Sequence, residues 1–317
     1  MARTASIGEA RRRLPRDFIA SLDASFPQAV VETILRGMAS ARPTTLRANT
    51  LRFDATELLR FFRDNAVKAR RIPWYPDAFS LTEAREREVE QWSIYQEGRV
   101  YLQSISSMIP ALALAPCPGE RVLDIAAAPG SKTTQVAALM DNTGCIVANE
   151  LDPVRAERLA YNVQLQGCTN VELVVGRGEK IGERQPDSFD RVLLDVPCSG
   201  EGRFVVFEPA TSRSWSRTTV SECVRIQRKL LASGVRALKP GGVLVYSTCT
   251  LNKEENERAV QWALQNLPVD VEKLPLALPG AYAGMSSGGD PRVAGAVRIF
   301  PDPLREGFFI CRMRKRT

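Results

Sequence analysis

Apolar residues Ile19, Leu22, Phe26, Val30 and Ile34 fall at near-helical spacing, so residues 1 to about 42 read as helical, with Pro27 breaking the run. A short strand-like stretch follows at 44–51. Asp54 then opens a helix that carries Leu58, Leu59 and Phe62 on one side. Residues 67–81 have strand character interrupted by Pro73 and Pro76. From Arg121 the pattern becomes strands alternating with helices. The strands are expected at 121–125, 145–149, 171–175, 191–194 and 243–247, each a near-continuous apolar run of the kind that is buried on both faces. Between the second and third lies a helix with Pro153 in its first turn, Ala156, Leu159, Ala160 and Val163 on one face, and Gly167 at its end. Such alternation predicts an α/β fold with a doubly wound, mostly parallel sheet whose ligand crevice lies at the carboxyl ends of the strands. Two further strands, 297–300 and 308–313, are expected as an antiparallel edge pair, and residues 279–295 read as a glycine-rich loop. The turn-rich stretch 116–119 marks a boundary between residues 1–115, a small α plus α/β appendage, and residues 116–317.

Composition narrows the picture. A chain of 317 residues with 44% hydrophobic and 25% charged residues is ordinary for a globular protein of two domains. No apolar run approaches the roughly 20 residues that a membrane span needs. The first 15 residues carry Arg11, Arg12 and Arg13 with no apolar segment behind them, which argues against a secretory signal. A net charge of +7 leans toward polyanionic partners such as nucleic acid. The seven cysteines contain no C-x-x-C pair, which argues against a zinc site and a disulfide framework and fits a reducing compartment. With no histidine in the chain, a Ser-His-Asp triad, a Cys-His pair and an H-E-x-x-H metal site are impossible.

Chemistry concentrates at three strand ends. The run Ala126-Ala127-Ala128-Pro129-Gly130-Ser131-Lys132 links the first strand to a helix through small residues that let a ligand approach the backbone, with free N–H groups at the helix start. Glu150, ending the second strand, is placed to accept from both hydroxyls of an adenosine ribose. The G-x-G-x-x-G of dinucleotide enzymes is absent. Asp195-Val196-Pro197-Cys198 follows the fourth strand and Thr248-Cys249 ends the fifth, so both cysteines and Asp195 are expected to face one crevice. A carboxylate there can accept from the amino group of cytosine, and a thiolate can add to carbon 6 of that ring. Free cysteine is only a few per cent thiolate near neutral pH. Two devices are available to activate it: a helix over 253–264, with Asn252 and Glu255 at capping-box spacing, or the Lys132 cation at the same rim.

These motifs resemble the NOL1/NOP2/Sun family of RNA cytosine-5 methyltransferases. The resemblance covers most of the chain, from Thr45-Leu46-Arg47-Ala48-Asn49-Thr50-Leu51 through the cofactor turn, Asn149-Glu150, Asp195 to Gly202, Trp215 and the stretch 239–257, to Arg298-Ile299-Phe300-Pro301 and Glu306-Gly307-Phe308-Phe309. The pair Pro197-Cys198 with Thr248-Cys249 is its most specific element. The resemblance implies a Rossmann-like class I methyltransferase sheet preceded by an RNA-recognition-like domain within residues 44–115. It implies Cys249 as nucleophile, Cys198 as the residue assisting product release, Asp195 and Lys132 holding the cytosine, and Ala126, Ala127, Ala128, Pro129, Gly130, Ser131, Lys132, Glu150 and Asp195 around S-adenosylmethionine. The expected partner is RNA, ribosomal before transfer RNA, with no metal and no membrane, and the expected protein is a cytoplasmic monomer. Three departures stand out. Ala126 and Ser131 replace the family's usual Cys and Gly, Arg177 stands in register with its adenine-side Asp with Glu179 as a possible substitute, and no added C-terminal RNA-binding domain is expected. The rival readings are a nicotinamide-dependent oxidoreductase, which leaves both cysteines unexplained, and a catalytically silent RNA-binding assembly factor.

Overall fold

The computed structural model describes residues 4–284 and 290–317, so residues 285–289 of the expected glycine-rich loop lie outside the described residues. The helical N-terminus is three helices, α1 (Ile7–Arg13), α2 (Arg16–Ser25) and α3 (Gln28–Met38). Prolines 15 and 27 set the breaks, because each lacks the N–H that a continuing helix requires. Phe18, Leu22, Val31, Ile34 and Leu35 are buried with Phe204, Trp215, Leu251 and Phe300, which lie on loops of the larger unit.

A four-stranded antiparallel sheet follows, built from β1 (Thr44–Ala48), β2 (Ala69–Ile72), β3 (Tyr75–Leu81) and β4 (Val100–Leu102) in the order β2-β3-β1-β4. Helix α4 (Ala55–Asp64) connects β1 to β2. Its Asp54 cap accepts from the Thr56 and Glu57 N–H groups, while Glu57 accepts from the Asp54 N–H. Leu58 and Phe62 are buried, but Leu59 is exposed, so the apolar face is narrower than expected. Two single-turn helices, α5 (Glu86–Val89) and α6 (Ser93–Gln96), lead into β4.

The opposite face of this sheet is not free. Thr45 and Arg47, on the side of β1 away from α4, are buried. Arg47 reaches across to the larger unit and donates from Nη2 to the Ser131 carbonyl (3.1 Å) and Thr134 Oγ1 (2.8 Å). The β1 face that an RNA-recognition fold would present is therefore a structural interface here.

Helix α7 (Ile105–Leu114) packs on the second sheet. That sheet holds β5 (Arg121–Asp124), β6 (Cys145–Glu150), β7 (Val171–Val175), β8 (Phe189–Asp195), β9 (Leu238–Thr248), β10 (Val269–Glu272), β11 (Tyr282–Ala283), β12 (Val297–Ile299) and β13 (Phe308–Lys315). The order is β11-β12-β13-β9-β8-β5-β6-β7, with β10 also on β13. Strands β5 to β9 are mutually parallel, and β13 joins antiparallel to β9. The order reverses at β5, between β6 and β8, and the crevice at such a switch point is the expected ligand site. Helices α8 (Ser131–Leu139), α9 (Pro153–Leu165), α10 (Ile181–Arg184), α11 (Arg217–Ala237) and α12 (Glu257–Asn266) complete the unit.

Two details correct the sequence reading. Strand β7 is the sheet edge, so Glu172, Leu173 and Val175 meet solvent instead of being buried on both faces. The tail pair is antiparallel as expected, but β13 lies inside the sheet, flanked by β9 on one side and by β10 and β12 on the other.

Candidate active site

The turn after β5 is shaped by hydrogen bonds to its own backbone and to β6. The Ala127 N–H donates to the Asn149 carbonyl (2.9 Å) and the Gly130 N–H to the Ala127 carbonyl (2.8 Å). Gly130 has φ +105°, and a Cβ there would lie 3.0 Å from Leu159, so only glycine suits the turn. Glu150 is buried at the end of β6 and accepts from the Ala128, Leu151 and Asp152 N–H groups at 2.9–3.3 Å. Neighbouring Asn149 leaves its amide oxygen buried without a partner. A buried acceptor pair at the end of β6, facing a small-residue turn and a helix N-terminus, fits an adenosyl cofactor whose ribose hydroxyls donate. Arg177 points largely into solvent and pairs loosely with the less exposed Glu179 at 3.5 Å.

Asp124, under the turn, is buried, and burial pushes its carboxyl up to about 7 against the opposing hydrogen bond from Thr133. At the end of β8, Asp195 sits opposite Ser247 in the β8–β9 register and accepts from its hydroxyl at 2.7 Å. The other Asp195 oxygen meets Lys132 Nζ at 2.7 Å, and Lys132 also donates to Ser107 Oγ on α7 at 2.7 Å. Lys132, Asp195 and the turn 126–131 thus converge on the crevice.

Because β8 and β9 are neighbours, the two cysteines meet: Cys198 Sγ and Cys249 Sγ are 3.3 Å apart. Hydrogen bonding to Cys249 and then burial push the Cys198 thiol well above its usual range, and the Cys249 and Glu255 charges act in the same direction. Cys198 is therefore a neutral thiol, and either sulfur can be the donor in the 3.3 Å contact.

Neither activating device read from the sequence is in place. Helix α12 starts at Glu257, not Lys253, and the Asn252–Glu255 capping box does not form. Asn252 instead donates to Glu201 at 3.1 Å. Glu255 turns inward and accepts from the Ser199 N–H (3.0 Å), the Ser199 hydroxyl and Gln227 (2.9 Å). Lys132 is committed to Asp195 and Ser107.

Sequence reasoning missed several residues here. Glu201 is buried and accepts from Trp215 Nε1 (3.0 Å) and Asn252, and burial nevertheless pushes its carboxyl up to about 7. Thr250 bridges the Ser199 hydroxyl at 2.7 Å and completes a polar floor beneath the cysteines. Burial lowers the Arg203 pKa, and the Cys249, Glu306 and Cys198 charges more than offset it and raise it. The available signal was position: Glu201 and Arg203 lie three and five residues after Cys198.

Among doubly wound sheets this is the methyltransferase type, with an antiparallel strand inserted beside β9; the turn after β5 in this chain is alanine-rich and lacks the glycine fingerprint of dinucleotide enzymes. Within that class the chain belongs to the family described as 16S rRNA methyltransferase RsmB/F, whose model matches residues 111–314. The RsmF/B-like ferredoxin-like domain of the same enzymes matches residues 14–88. Ribosomal RNA small subunit methyltransferase F of Cronobacter sakazakii is 41% identical over 279 residues, 86% of this chain and 56% of that protein. The chain thus spans about half the length of the curated relatives it matches. A solved methyltransferase homolog from Pyrococcus horikoshii is 32% identical, covers 98% of both chains and superposes with a TM-score of 0.83. NSun6 from Pyrococcus horikoshii with SFG, 21% identical over 97% of this chain and 100% of that one, shares the fold with a TM-score of 0.83.

Proposed function

We propose that this chain is an S-adenosylmethionine-dependent methyltransferase that places a methyl group on carbon 5 of a cytosine in ribosomal RNA. The observation that carries the reading is the cysteine pair, 3.3 Å apart, beside the Lys132–Asp195 ion pair at a switch-point crevice. A nicotinamide-dependent oxidoreductase would carry the G-x-G-x-x-G turn that is absent after β5. The family and the small-subunit methyltransferase relatives support ribosomal RNA over transfer RNA, which makes the cytoplasm the place of action. In this reading residues 1–115 form the RNA-side appendage and residues 116–317 the catalytic unit, acting as a monomer without a metal.

S-adenosylmethionine, when bound, supplies an electrophilic methyl group. Ala126 to Lys132 and Glu150 hold it at the ends of β5 and β6. Asp195 accepts from the exocyclic amino group of the cytosine, and Lys132, 2.7 Å away, orients that carboxylate. Cys249 attacks carbon 6. The new sulfur–carbon bond shifts the ring's 5,6 electron pair to carbon 5, which takes the methyl group as the sulfonium–methyl bond breaks and its electron pair stays with the departing thioether. Loss of the proton on carbon 5 to water then returns the pair to the ring and expels the Cys249 thiolate. Cys198, held as a neutral thiol against that sulfur, stabilises the departing thiolate by donating its S–H. The target base must leave its stack to reach this crevice.

The test is to incubate the protein with small-subunit ribosomal RNA and methyl-labelled S-adenosylmethionine, digest the RNA and separate the nucleosides. Label in 5-methylcytidine is the expected result. Label in another nucleoside, or no cofactor binding by calorimetry, overturns the reading, the latter in favour of a silent assembly factor.

A further inference from the structure

The β1 face that an RNA-recognition fold would present is closed by Thr45 and Arg47, both buried, and is not open to phosphates. We infer that the outer face of α11 (Arg217–Ala237) is an RNA-contact surface that takes the phosphate backbone of a double-helical stem beside the target cytosine. The inference rests on the ribosomal-RNA reading above and adds the surface that grips the substrate outside the crevice.

Positive charge is concentrated on this helix. Its 21 residues hold five Lys and Arg against one Glu, a surplus of four in a chain whose net charge is +7. Arg217, Arg225, Lys229 and Arg236 are exposed, whereas Arg228 folds back with its guanidinium 5.8 Å from the Trp262 ring of α12. Lys229 and Arg236 stand four and eleven positions after Arg225, near one and three whole turns, so the three share one side. Shorter helices neutralise exposed cations one turn away: Arg13 with Glu9, Arg36 with Glu32 and Arg258 with Glu254. On α11 none of the four exposed cations forms an ion pair among the described residues. The helix itself gains little from this arrangement. Arg217 is its first residue, where a cation opposes the macrodipole, and Arg225 and Lys229 are like charges at i, i+4. Only Arg236, in the last turn, suits the dipole. A bound polyanion offsets that repulsion.

The row lies back to back with the cysteine loop. Gln227, two positions from both Arg225 and Lys229 and hence on the opposite side of the helix, donates to the Pro197 carbonyl and to Glu255, each at 2.9 Å. The cations therefore sit roughly one helix diameter, about 10–12 Å, behind the Pro197–Cys198 segment, within reach of nucleotides close to a cytosine in the crevice. At the other end, Trp215 donates to Glu201 at 3.0 Å and ties the start of α11 to the turn after Cys198. The sequence of α11 contains no aromatic residue, so its face offers no platform for stacked, unpaired bases. From Arg217 to Arg236 it spans about 28 Å. A rigid row of cations without stacking groups fits an RNA stem, which is recognised by shape and backbone.

The experiment compares wild type with the triple variant Arg225→Gln, Lys229→Gln, Arg236→Gln, because glutamine removes the charges and keeps helix propensity. Fluorescence anisotropy measures binding to an RNA hairpin and to a single strand of equal length, from about 50 to 200 mM salt. The variant is expected to bind the hairpin about tenfold more weakly or worse near physiological salt, with a salt slope smaller by about 2–3 for three lost phosphate contacts. Its loss on the single strand should be smaller, and its S-adenosylmethionine affinity and urea midpoint should match wild type. Equal hairpin affinity and slope in the two proteins overturns the inference and leaves the methyltransferase reading intact. Unchanged RNA binding with lost sedimentation on phosphatidylserine vesicles assigns the row to a membrane surface and overturns it as well. A wild type that methylates no small-subunit RNA would instead remove the functional reading and, with it, the substrate named here.

Discussion

Arg47 Nη2 and Thr134 Oγ1 lie 2.8 Å apart, joining the N-terminal sheet to the helix that begins at the cofactor turn. The same guanidinium donates to Gln103 Oε1 (2.9 Å) and the Ser131 carbonyl, and the side chain is fully buried. Arg47→Met should leave these acceptors unpaired and cost about 1–3 kcal/mol per group. Urea denaturation is expected to show the loss. S-adenosylmethionine affinity should fall with it, because the Ser131 end of the turn loses its brace. A wild-type urea midpoint would show that water replaces the guanidinium without penalty.

The cysteine pair predicts opposite phenotypes for two similar substitutions. Cys198→Ala should still attack the ring but release it slowly, so a protein–RNA band resistant to denaturant accumulates when cofactor and RNA are present. Cys249→Ala should give neither that band nor 5-methylcytidine. Labelled RNA on a denaturing gel separates the cases, and a band in the Cys249→Ala lane would reassign the nucleophile.

Glu150→Ala should weaken S-adenosylmethionine binding by about 1.5–3 kcal/mol, the range for a hydrogen bond to a charged group. The carboxylate also fastens Ala128, Leu151 and Asp152, so calorimetry needs a thermal melt beside it to confirm that the variant is folded. Unchanged affinity in the folded variant would leave Glu150 with only its backbone role.

Stability should fall as pH rises from about 4.5 toward 7. Asp124 and Glu201, with ordinary values of 3.8 and 4.5, are both pushed by burial to about 7. A carboxyl with a raised folded pKa binds more protons in the native than in the unfolded state. Its contribution is complete below the unfolded value and is lost as pH climbs through the folded one. For Glu201 the loss is on the order of 3 kcal/mol. Glu201→Gln keeps an oxygen for Trp215 and Asn252 and should flatten the curve over that window. Urea midpoints measured from pH 4.5 to 8 check this, and parallel curves for the two proteins would contradict it.

The parallel strands were legible because burial on both faces leaves short apolar runs, Val122–Leu123 and Val192–Leu194, inside segments that alternate with helices. The edge strand β7 has a similar run, so its position could not be read from hydrophobicity: Val171, Leu173 and Val175 look like core and are partly in solvent. The long helix α11 and the short elements between 86 and 114 escaped notice. Asp195, Cys198 and Cys249 were legible because topology alone makes β8 and β9 neighbours. Glu201, Glu255 and Arg203 were not, because their surroundings come from Trp215, Gln227, Ser199 and Cys249, residues brought in by tertiary packing. Glu255 shows the difficulty best: its spacing from Asn252 mimics a helix cap, while Ser199 and Gln227 claim its carboxylate.

The interior position of β13 sets a schedule for synthesis. Strand β9 is complete at Thr248, yet one of its edges is paired by residues 309–314, roughly sixty residues later in translation. At ordinary elongation rates that edge waits about 3–12 s with its N–H and C=O groups unmatched. Until Phe308 to Lys315 arrive, the nascent chain carries an open, strongly apolar strand of the kind that pairs with other chains. Production of this protein should accordingly be most sensitive to crowding of nascent chains and to translational pausing between these two strands.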